Sequence, residues 1–333
     1  MVSVTIKQVA ERAGVSVATA SRALSGGRGV REANREAVLR AADELDYKPN
    51  AVAAALRSRT TRTIGMVVPV ISNPFFSTLV EAVEREAELG ERGLLLATSH
   101  YDPEAEARRL RTLLDRQVDA LIVIPCHQER SREAFEAAAR RVPAVQLDLS
   151  VDGTTASWVG VDNGAGILHL VDHLVERGAR SLAYIGSEPT DSSARDRLDG
   201  YRRAAARCPG PADRVLLGDF SLEWGRGAAR RLLDEGAPLP DGVVCGNDTI
   251  ALGVLRELSA GGVRVPADVM VGGFDDIPFA ALAEPALTTV RQPQDRLAAE
   301  AMRTVTDMLE GGAEPNRRVA VVPELVPRAS TAR

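Results

Sequence analysis

Apolar and polar positions follow two alternating periods from about residue 62 to the end of the chain. Short β-rich apolar runs there alternate with stretches of helical periodicity. The predicted strands are 64–70, 94–99, 120–125, 144–149, 181–186, 215–219, 242–246, 269–273 and 319–322. The predicted helices are about 76–90, 104–117, 131–141, 164–178, 195–207, 223–236, 249–262 and 295–311. Such alternation predicts parallel sheets that are covered by helices on both faces and joined by right-handed crossovers.

This alternating region is longer than one ordinary doubly wound sheet requires. We therefore predict an α/β body made of two doubly wound lobes. Lobe 1 is predicted at about 62–160 plus 293–322, and lobe 2 at about 161–292 plus 323–330.

The first sixty residues have a purely helical pattern. Apolar residues recur at i, i+3, i+4 and i+7 over Ile6–Ala13, Gly14 interrupts them, and Ser16 is suited to cap a second helix that runs to about Leu24. A third amphipathic helix follows, with inward positions at Ala37, Val38, Ala41 and Leu45. Two short helices joined by a glycine turn are typical of a helix-turn-helix, whose second helix enters the major groove of DNA. On spacing alone, an ordinary helical hairpin is the alternative.

A short alanine-rich helix is predicted at 50–58, with Asn50 as its cap. Its length is well below the roughly 12–15 residues that an isolated helix needs in water. It should therefore fold only against a partner. The nearby Arg57 and Arg59 and the apolar Leu56 suggest DNA, because a leucine wedge can part base steps from the minor groove. A flexible linker is the alternative.

Composition excludes several classes of protein. The 333 residues are 45% hydrophobic and 26% charged, which favours folded domains over disorder. The apolar runs are too short for a membrane span, and the N-terminus lacks the layout of a secretory signal. The three cysteines suggest neither a disulfide framework nor a zinc ribbon, and helix packing is favoured over a metal site for His169 and His173. We predict a cytoplasmic protein with no metal, cofactor or membrane partner.

Charge is divided unevenly along the chain. Residues 1–60 carry ten basic and six acidic residues, a net charge of +4, whereas the whole chain has −5 and the remainder therefore −9. A basic end attached to an acidic body indicates a nucleic-acid-binding segment. The general preference of this chain for arginine is the alternative interpretation.

Polar and aromatic side chains follow the predicted strands of the body. Ligands of open parallel sheets bind beyond the carboxyl ends of the strands. The candidates at these positions are Phe75, Phe76, Asp148, Arg197, Phe220, Asn247 and Asp275. Carboxylates and amides accept bonds from hydroxyl groups, a guanidinium donates in a fixed fork, and rings cover the apolar face of a sugar. Helix capping is the alternative for each residue taken singly, but together they favour a cleft for a small polyhydroxylated ligand.

Residues 4–24, VTIKQVAERAGVSVATASRAL, closely resemble the headpiece of the LacI/GalR family of bacterial repressors. YKPN at 47–50, followed by Ala53 and Leu56, resembles the hinge of that family. Segments of the body resemble its effector-binding core, which is itself similar to periplasmic sugar-binding proteins. These segments are SARDRLDGY at 193–201, GND at 246–248, GFDD at 273–276 and LTTVRQP at 287–293.

The resemblance implies roles for individual residues of the headpiece and hinge. Val17, Ala18 and Arg22 would read bases in the major groove. Val17 and Ala18 offer no bidentate hydrogen bond, so their contacts would be apolar, against thymine methyl groups, whereas Arg22 is suited to guanine. Ser16, Thr19 and Ser21 would position the DNA backbone, and the implied DNA-binding set is completed by Thr5, Asn50, Ala53 and the wedge Leu56. Arg31 and Asn34 stand where the family usually has serine and threonine.

For the body, the resemblance implies that Arg197 clamps the effector, with Asn247 and Asp275 as further ligand contacts. We therefore predict a homodimeric transcriptional repressor, not an enzyme, that binds a near-palindromic double-stranded operator under the control of a small molecule, by default a sugar. A purine or nucleoside effector is the alternative, and a carbohydrate-active enzyme with a carboxylate pair at Asp148 and Asp275 is a second one. The predicted domains are 1–49 for the headpiece, 50–61 for the hinge and linker, and 62–333 for the core.

Overall fold

The chain divides into two units, Met1–Thr61 and Arg62–Arg333. They are seen in a computed structural model that describes residues 4–24, 29–47, 60–312 and 316–333. Among these residues, every helix is too short or too polar to cross a lipid bilayer. The domain and lobe boundaries given above stay predictions.

Three short helices pack around a small core in the first unit. They are α1 (Ile6–Arg12), α2 (Val17–Leu24) and α3 (Glu32–Glu44). Val9, Ala20 and Val38, one from each helix, are fully buried where the helices meet. An ion pair of 2.6 Å between Arg12 and Glu44 joins α1 to α3. The predicted helix-turn-helix is confirmed.

The turn between α1 and α2 depends on two residues that the sequence singled out. Gly14 has a φ of +66°, a left-handed conformation that glycine adopts without steric cost. Two residues later, the Ser16 Oγ accepts a hydrogen bond of 3.1 Å from the backbone nitrogen of Thr19. This bond satisfies one of the free N–H groups at the start of α2, so Ser16 caps the helix as predicted.

The first lobe of the second unit is built on a six-stranded sheet. Its strands are β1 (Thr63–Val68), β2 (Gly93–Thr98), β3 (Ala120–Val123), β4 (Ala144–Leu147), β5 (Trp158–Val161) and β11 (Arg318–Val321). Its helices are α4 (Pro74–Leu89), α5 (Pro103–Asp115), α6 (Arg132–Ala139) and α11 (Gln294–Leu309).

The second lobe is built on another six-stranded sheet. Its strands are β6 (Leu182–Ser187), β7 (Arg214–Gly218), β8 (Gly242–Cys245), β9 (Met270–Asp275), β10 (Thr288–Arg291) and β12 (Glu324–Val326). Its helices are α7 (Asn163–Glu176), α8 (Ser192–Ala205), α9 (Leu222–Asp234) and α10 (Asp248–Ala260), with short 3₁₀ turns at Pro278–Ala280 and Ala329–Thr331.

The two sheets share one strand order. It is β11-β5-β4-β3-β1-β2 in the first lobe and β12-β10-β9-β8-β6-β7 in the second. Within each lobe the first strand lies between the second and the third, which is a doubly wound order with its ligand crevice at the carboxyl ends. The edge strands β11 and β12 differ in direction. β11 runs parallel to β5, whereas β12 runs antiparallel to β10. The predicted fold class is confirmed.

The described chain passes between the lobes three times, after β5, after β10 and after β11. The segment after residue 316 therefore supplies the last strand of both sheets. Beyond β12, the 3₁₀ turn Ala329–Thr331 is anchored to the second lobe, where Ser330 Oγ accepts a bond of 2.8 Å from the backbone nitrogen of Thr288.

Three strands, β5, β10 and β12, lie outside the predicted set. All are short, and β10 opens on two threonines instead of an apolar run. Thr288 and Thr289 are nevertheless fully buried. Their hydroxyl groups are satisfied, since the Thr289 Oγ1 donates to Asp248 Oδ1 at 2.6 Å and the Thr288 and Thr331 hydroxyls lie 2.7 Å apart. A search for apolar runs misses a buried strand whose polar groups have partners.

Candidate functional site

A narrow cavity lies between the two lobes, where the strands end. We call it the inner cavity. All seven candidate effector-binding residues line it: Phe75, Phe76, Asp148, Arg197, Phe220, Asn247 and Asp275. Its lining also includes Asn73, Tyr101, Leu149, Asp191 and Ser193. The positions after the strands therefore meet in one place, while contact of these residues with a ligand stays a prediction.

Arg197 is the most extensively fixed side chain of the cavity. It lies on α8 with 3% of its surface exposed. Its Nε donates to Asn163 Oδ1 and its Nη1 donates to the Gly246 carbonyl, both at 2.7 Å. The Nη2 lies 3.4 Å from Asp275 Oδ1, and the guanidinium carbon stands 3.8 Å from the centre of the Phe274 ring. A buried cation with this many partners is held in place before any ligand arrives.

Asp275 is the counter-charge of this arginine. It ends β9 in a positive-φ conformation and is 5% exposed. Burial raises the pKa of its carboxyl group, and the charge of Arg197 opposes that rise. Gln292, which the sequence analysis did not select as a site residue, donates from Nε2 to Asp275 Oδ1 at 2.8 Å. The other amide atom, Gln292 Oε1, is buried with no hydrogen-bond partner among the described residues.

Asp148 follows β4 and is held through its backbone, with a φ of +61°. Its carbonyl accepts a bond of 3.1 Å from Trp158 Nε1. The carboxyl oxygen Oδ1 is buried and has no partner among the described residues. Burial raises the pKa of Asp148 to about 7; the Arg197 charge opposes this rise, and the charges of Asp275 and Asp191 add to it. An unsatisfied buried acceptor is an atom that a ligand donor would satisfy.

Aromatic rings form the apolar part of the lining. Phe75 and Phe76 open α4, with ring centroids 5.3 Å apart in an edge-to-face arrangement. Their position is set by Asn73, which caps the helix by accepting a bond of 3.0 Å from the Phe75 nitrogen, and by Gln294, whose Nε2 donates to the Phe75 carbonyl at 3.2 Å. Phe220 approaches from the second lobe just before α9. Together they provide the apolar surface that suits the face of a sugar ring.

The sequence analysis left two roles open for Asn247, helix capping and contact with a ligand. Its Oδ1 accepts a bond of 2.9 Å from the Ile250 nitrogen, so it caps α10. The residue is also 1% exposed and lines the inner cavity. Capping and cavity lining are therefore compatible here.

Tyr101 and Asp191 are the lining residues with titratable side chains that the sequence analysis missed. Tyr101 comes shortly after β2, in a left-handed conformation with a φ of +58°. Asp191 follows β6 and caps α8, accepting bonds from the Ala194 nitrogen at 2.9 Å and from Ser193 Oγ at 2.8 Å. The same rule of reading beyond each strand would have found both residues.

Polar contacts join the lobes beside the inner cavity. They are Ser150 N to Ser192 Oγ at 2.9 Å, Gln128 N to the Thr190 carbonyl at 3.1 Å, and an ion pair of 3.1 Å between Arg195 and Asp152. Because these contacts cross between lobes, a change in the angle between the lobes would alter them.

In the first unit, α2 turns one face to solvent. Val17 is 42% exposed, and Ala18 and Arg22 are also exposed, whereas Ala20 and Ala23 are buried. Arg22 Nε donates to the Ala18 carbonyl at 3.3 Å. The base-reading candidates therefore share the outward face, and their contact with bases stays a prediction.

The candidates for positioning the DNA backbone lie at helix starts and on α2. The hydroxyl groups of Ser16 and Thr19 lie 2.9 Å apart, and Ser21 is half-buried. Thr5 precedes α1, and its backbone nitrogen donates to Gln8 Oε1 at 2.8 Å. Asn50, Ala53 and Leu56 lie outside the described residues.

The start of α3 shows what the unusual Arg31 changes. Arg31 stands at the cap position in an extended conformation, and its side chain makes no capping bond. A serine there would supply the oxygen that arginine lacks.

In the part of the chain that the structure describes, no group of three or more histidine, cysteine or acidic residues is placed to hold a metal ion. His173, the buried member of the pair singled out above, has its Nε2 2.8 Å from Thr331 Oγ1. It therefore packs α7 against the 3₁₀ turn Ala329–Thr331.

Comparison with known proteins agrees with both units. Residues 5–50 match the family described as bacterial regulatory proteins, lacI family, and residues 171–331 match a periplasmic binding protein-like domain. The chain is 32% identical to the HTH-type transcriptional regulator DegA of Bacillus subtilis (strain 168), over 98% of each chain. The chain belongs to the LacI family. This LacI-family protein is therefore a DNA-binding transcriptional regulator.

Solved structures extend this result to the whole architecture. The lac repressor dimer bound to operator and the anti-inducer ONPF is 30% identical, with a TM-score of 0.91 over 99% of each chain. The complex of the transcriptional regulator CelR with cellobiose is 32% identical, with a TM-score of 0.74 over 98% of this chain and 99% of that one. The LacI-family protein thus shares the whole architecture of these two regulators.

Proposed function

We propose that this LacI-family protein is a repressor whose affinity for a near-palindromic operator is set by an uncharged sugar in the inner cavity. The observation that carries the sugar is the buried acceptor Asp148 Oδ1, which has no partner among the described residues. Asp148 lines the inner cavity together with the donor fork of Arg197. Hydroxyl groups both donate and accept, so a polyhydroxylated ring suits this mixed set. The relative CelR, solved with cellobiose, supports the same class.

The charges of the inner cavity favour an uncharged effector. The carboxyl groups of Asp148, Asp191 and Asp275 line it, against the single guanidinium of Arg197. That guanidinium is already paired with Asp275. A phosphate or carboxylate on the effector would add a like charge to a buried acidic site, which is unfavourable. A purine base carries fewer donors than a sugar and would leave more of the acceptors unsatisfied.

The outward face of α2 supports base reading in the major groove. Val17 and Ala18 present small apolar surfaces that fit thymine methyl groups, and Arg22 presents a fork that fits guanine. Ser16, Thr19 and Ser21 would hold the phosphate backbone, together with Thr5 ahead of α1. The operator sequence should therefore contain thymine and guanine at neighbouring positions in each half-site.

Apolar side chains on both lobes support the dimeric state. Leu95 and Leu96 are 40% and 41% exposed on β2, the edge strand of the first sheet, and Phe279 and Leu282 are 54% and 77% exposed in the second lobe. An open strand edge with exposed leucines is covered in most folded proteins. We place the dimer contact on these two surfaces, which is consistent with two copies reading two operator halves.

Effector and operator would be coupled through the angle between the lobes. Sugar binding draws the lobes together around the inner cavity and shifts the contact between Ser150 and Ser192. The hinge, predicted at 50–58 with Leu56 as its wedge, would fold only when two copies meet on DNA. A coupling of about 1–3 kcal/mol is enough to change operator affinity by about 5–150-fold.

The test begins with the operator. Full-length protein is used to select duplexes from a random library, and we expect a near-palindromic consensus. Operator affinity is then measured by fluorescence anisotropy with and without sugars, nucleobases and nucleosides. A change of at least about fivefold with a sugar supports the proposal. A response to a nucleobase alone contradicts the sugar, and the absence of any preferred duplex contradicts the regulator itself.

The hinge wedge has a test of its own. Leu56→Ala should weaken operator binding more than about tenfold, because the minor-groove wedge is lost, while the circular dichroism spectrum of the protein is retained. Leu39→Ala is the matched control, since Leu39 is a leucine on α3 that is 50% exposed. Equal operator affinity of the two variants would contradict the wedge.

We further propose that the protein catalyses no reaction and works in the cytoplasm. DegA, to which it is similar along nearly its whole length, is a transcriptional regulator. Asp275 is held by Arg197 and Gln292, which leaves it poorly placed as a free nucleophile. Turnover of aryl glycosides by the purified protein, lost in Asp275→Asn, would contradict this part of the proposal.

A further inference from the structure

Two consecutive aspartates, Asp275 and Asp276, stand at the end of β9. Their φ angles are +111° and +54°, in a region that residues with a side chain rarely adopt. Such conformations persist only where the surrounding contacts hold the backbone in place, and they cluster at binding sites and switch regions. Strong contacts should therefore hold this pair.

The two carboxyl groups have different partners. Asp275 lines the inner cavity and accepts a bond from Gln292. Asp276 lies outside that lining, and its carboxyl group accepts bonds from two arginines. Its Oδ2 accepts from Arg291 Nε at 2.7 Å, and its Oδ1 accepts from Arg328 Nη2 at 2.6 Å. One aspartate thus faces the cavity, whereas both carboxyl oxygens of the other are engaged within the second lobe.

Asp276 fixes β10 at both ends. Arg291 is the last residue of that strand, and its bond to Asp276 holds the carboxyl end directly. At the other end Arg328 acts as a bridge, because its Nη1 donates to the Leu287 carbonyl at 2.8 Å while its Nη2 is bonded to Asp276. The side chains of Asp276 and Arg328 are 9% and 17% exposed, so this pair is shielded from the screening that weakens surface ion pairs. The strand is therefore held as a rigid part of its lobe.

The carboxyl end of β10 is also the start of a connection between the lobes. Residues 292–293 lead from β10 in the second lobe to α11 in the first, and we call them the β10 crossover. Gln292, its first residue, is 2% exposed and donates to Asp275 at 2.8 Å. Motions between domains are absorbed by a few residues at the ends of elements. Two neighbouring aspartates therefore hold two neighbouring residues at such a hinge.

The connection after β11 meets the same network. Glu324 is the first residue of β12 and lies opposite Arg291 in the antiparallel pairing of β12 with β10. Its Oε2 lies 3.6 Å from Arg291 Nη1. Arg291 therefore links Asp276 to the chain that has just returned to the second lobe. A change at Asp276 would loosen the anchoring of two of the three described connections between the lobes.

We propose that Asp276 is a positioning residue of the regulator, which locks β10 so that a displacement of Asp275 is passed through Gln292 to the β10 crossover. With β10 locked, Gln292 is the first residue that can follow Asp275, and the movement reaches the first lobe. With β10 released, the strand itself yields and the second lobe absorbs the movement. This inference rests on the proposed function, because it assumes that the angle between the lobes and operator binding are coupled.

The experiment is hydrogen exchange of the full-length protein, measured by mass spectrometry with and without the consensus duplex selected from the random library. Coupling is reciprocal, so an operator that responds to the angle between the lobes also shifts that angle. In the wild type, we expect saturation with duplex to change the exchange rate of a peptide spanning 288–294 by at least about threefold. In Asp276→Asn the change should fall below about 1.5-fold with duplex still bound, because a neutral amide forms weaker bonds with guanidinium groups.

A second variant and a matched control make the result specific. Arg328→Met removes the bridge to Leu287 without touching the β10 crossover, and it should suppress the operator-induced change as Asp276→Asn does. Asp268→Asn is the control, because Asp268 also accepts a bond from an arginine, Arg264 Nε at 3.0 Å, but lies just before β9 begins. Its response to duplex should equal that of the wild type.

Operator affinity in the presence of sugars separates transmission from ligand binding. Fluorescence anisotropy is measured with ribose, glucose, galactose and cellobiose as probes. For a sugar that changes the operator affinity of the wild type, Asp276→Asn should keep the sugar Kd within about threefold and reduce the change in operator affinity to below about twofold. A sugar Kd weakened by more than about tenfold, with the change in operator affinity retained, would place Asp276 in the binding site and overturn the inference.

The remaining outcomes distinguish this inference from the function on which it rests. An exchange rate at 288–294 that does not respond to operator in the wild type, or that responds equally in Asp276→Asn, overturns the lock and leaves the regulator. If the exchange behaves as expected while none of the four sugars changes operator affinity, the lock stands and the sugar loses its support. If no duplex is preferred, the regulator is wrong and the lock fails with it.

Discussion

The two lobes have the same strand order but bring different chemistry to the inner cavity. The second lobe provides Arg197 with four partners, all of them groups of that lobe. The first lobe provides Asp148, whose Oδ1 has no partner among the described residues, and the phenylalanine pair at the start of α4. The lobes thus share a fold but differ in chemistry. In the second lobe Arg197 is already paired, whereas in the first lobe Asp148 Oδ1 still lacks a donor among the described residues.

This difference indicates an order of events. A ligand that meets the second lobe finds donors that are fixed and desolvated, so little reorganisation is needed there. The first lobe gains more from closure, because only then is Asp148 Oδ1 satisfied. The interlobe contacts, such as Ser150 with Ser192, bias that closure. The predictions below test this division, from the largest expected effect to the smallest.

Removal of Arg197 should have the largest effect. Arg197→Ala leaves Asp275 buried without its cation, which costs about 3–5 kcal/mol of unfolding free energy. The variant should lose effector binding by at least about a hundredfold while the headpiece still binds operator. Urea unfolding and effector titration measure the two losses. Arg202→Ala on the same helix is the control, since that arginine is largely exposed. A normal effector response in Arg197→Ala would assign the clamp to another residue.

Asp148 should make stability depend on pH. Its pKa is about 7 in the folded protein, against an ordinary value of 3.8 for an aspartate. The folded state therefore holds an extra proton between about pH 4 and pH 7, and the unfolding free energy falls as pH rises through that window. Each pKa unit corresponds to about 1.4 kcal/mol, so the loss is on the order of 4 kcal/mol.

Asp148→Asn isolates this contribution. The variant should match the wild type near pH 4 and be more stable by a few kcal/mol at pH 8, because the introduced amide never ionises. Urea unfolding of both proteins from pH 4 to pH 8 gives the difference curve. Parallel curves would show that the carboxyl group is hydrated in solution, and the contrast between the lobes would lose its main support.

The smallest effect is expected at the contact between the lobes. Ser192→Ala removes the acceptor of the bond from the Ser150 nitrogen, a loss of about 0.5–1.5 kcal/mol, and should weaken effector binding by about 2–10-fold. Ser181→Ala is the matched control, because Ser181 Oγ donates to Asp241 at 3.1 Å within the second lobe and Ser181 does not line the inner cavity. Equal effects of the two substitutions on the effector response would mean that Ser192 acts only within its own lobe.

The cavity lining was largely predictable because of one geometric rule. Parallel strands end at a common edge, so side chains as far apart in sequence as Phe75 and Asp275 could be grouped by reading beyond each strand. Gln292 escaped this rule because it acts through Asp275, and its amide bond depends on tertiary packing. Similarly, β10 escaped because its buried threonines find their partners on distant segments. The left-handed conformation of Asp148, which aims its side chain, is not encoded in any local pattern.

The strand contributed after residue 316 to each sheet has a consequence for synthesis. As the chain leaves the ribosome, the first sheet lacks Arg318–Val321 and the second lacks Glu324–Val326, so neither lobe is complete until these segments have emerged. Both lobes would then acquire their last strand almost simultaneously. The helix-turn-helix precedes the body along the chain, so it can fold while each sheet still lacks a strand and the body is unable to close on its ligand.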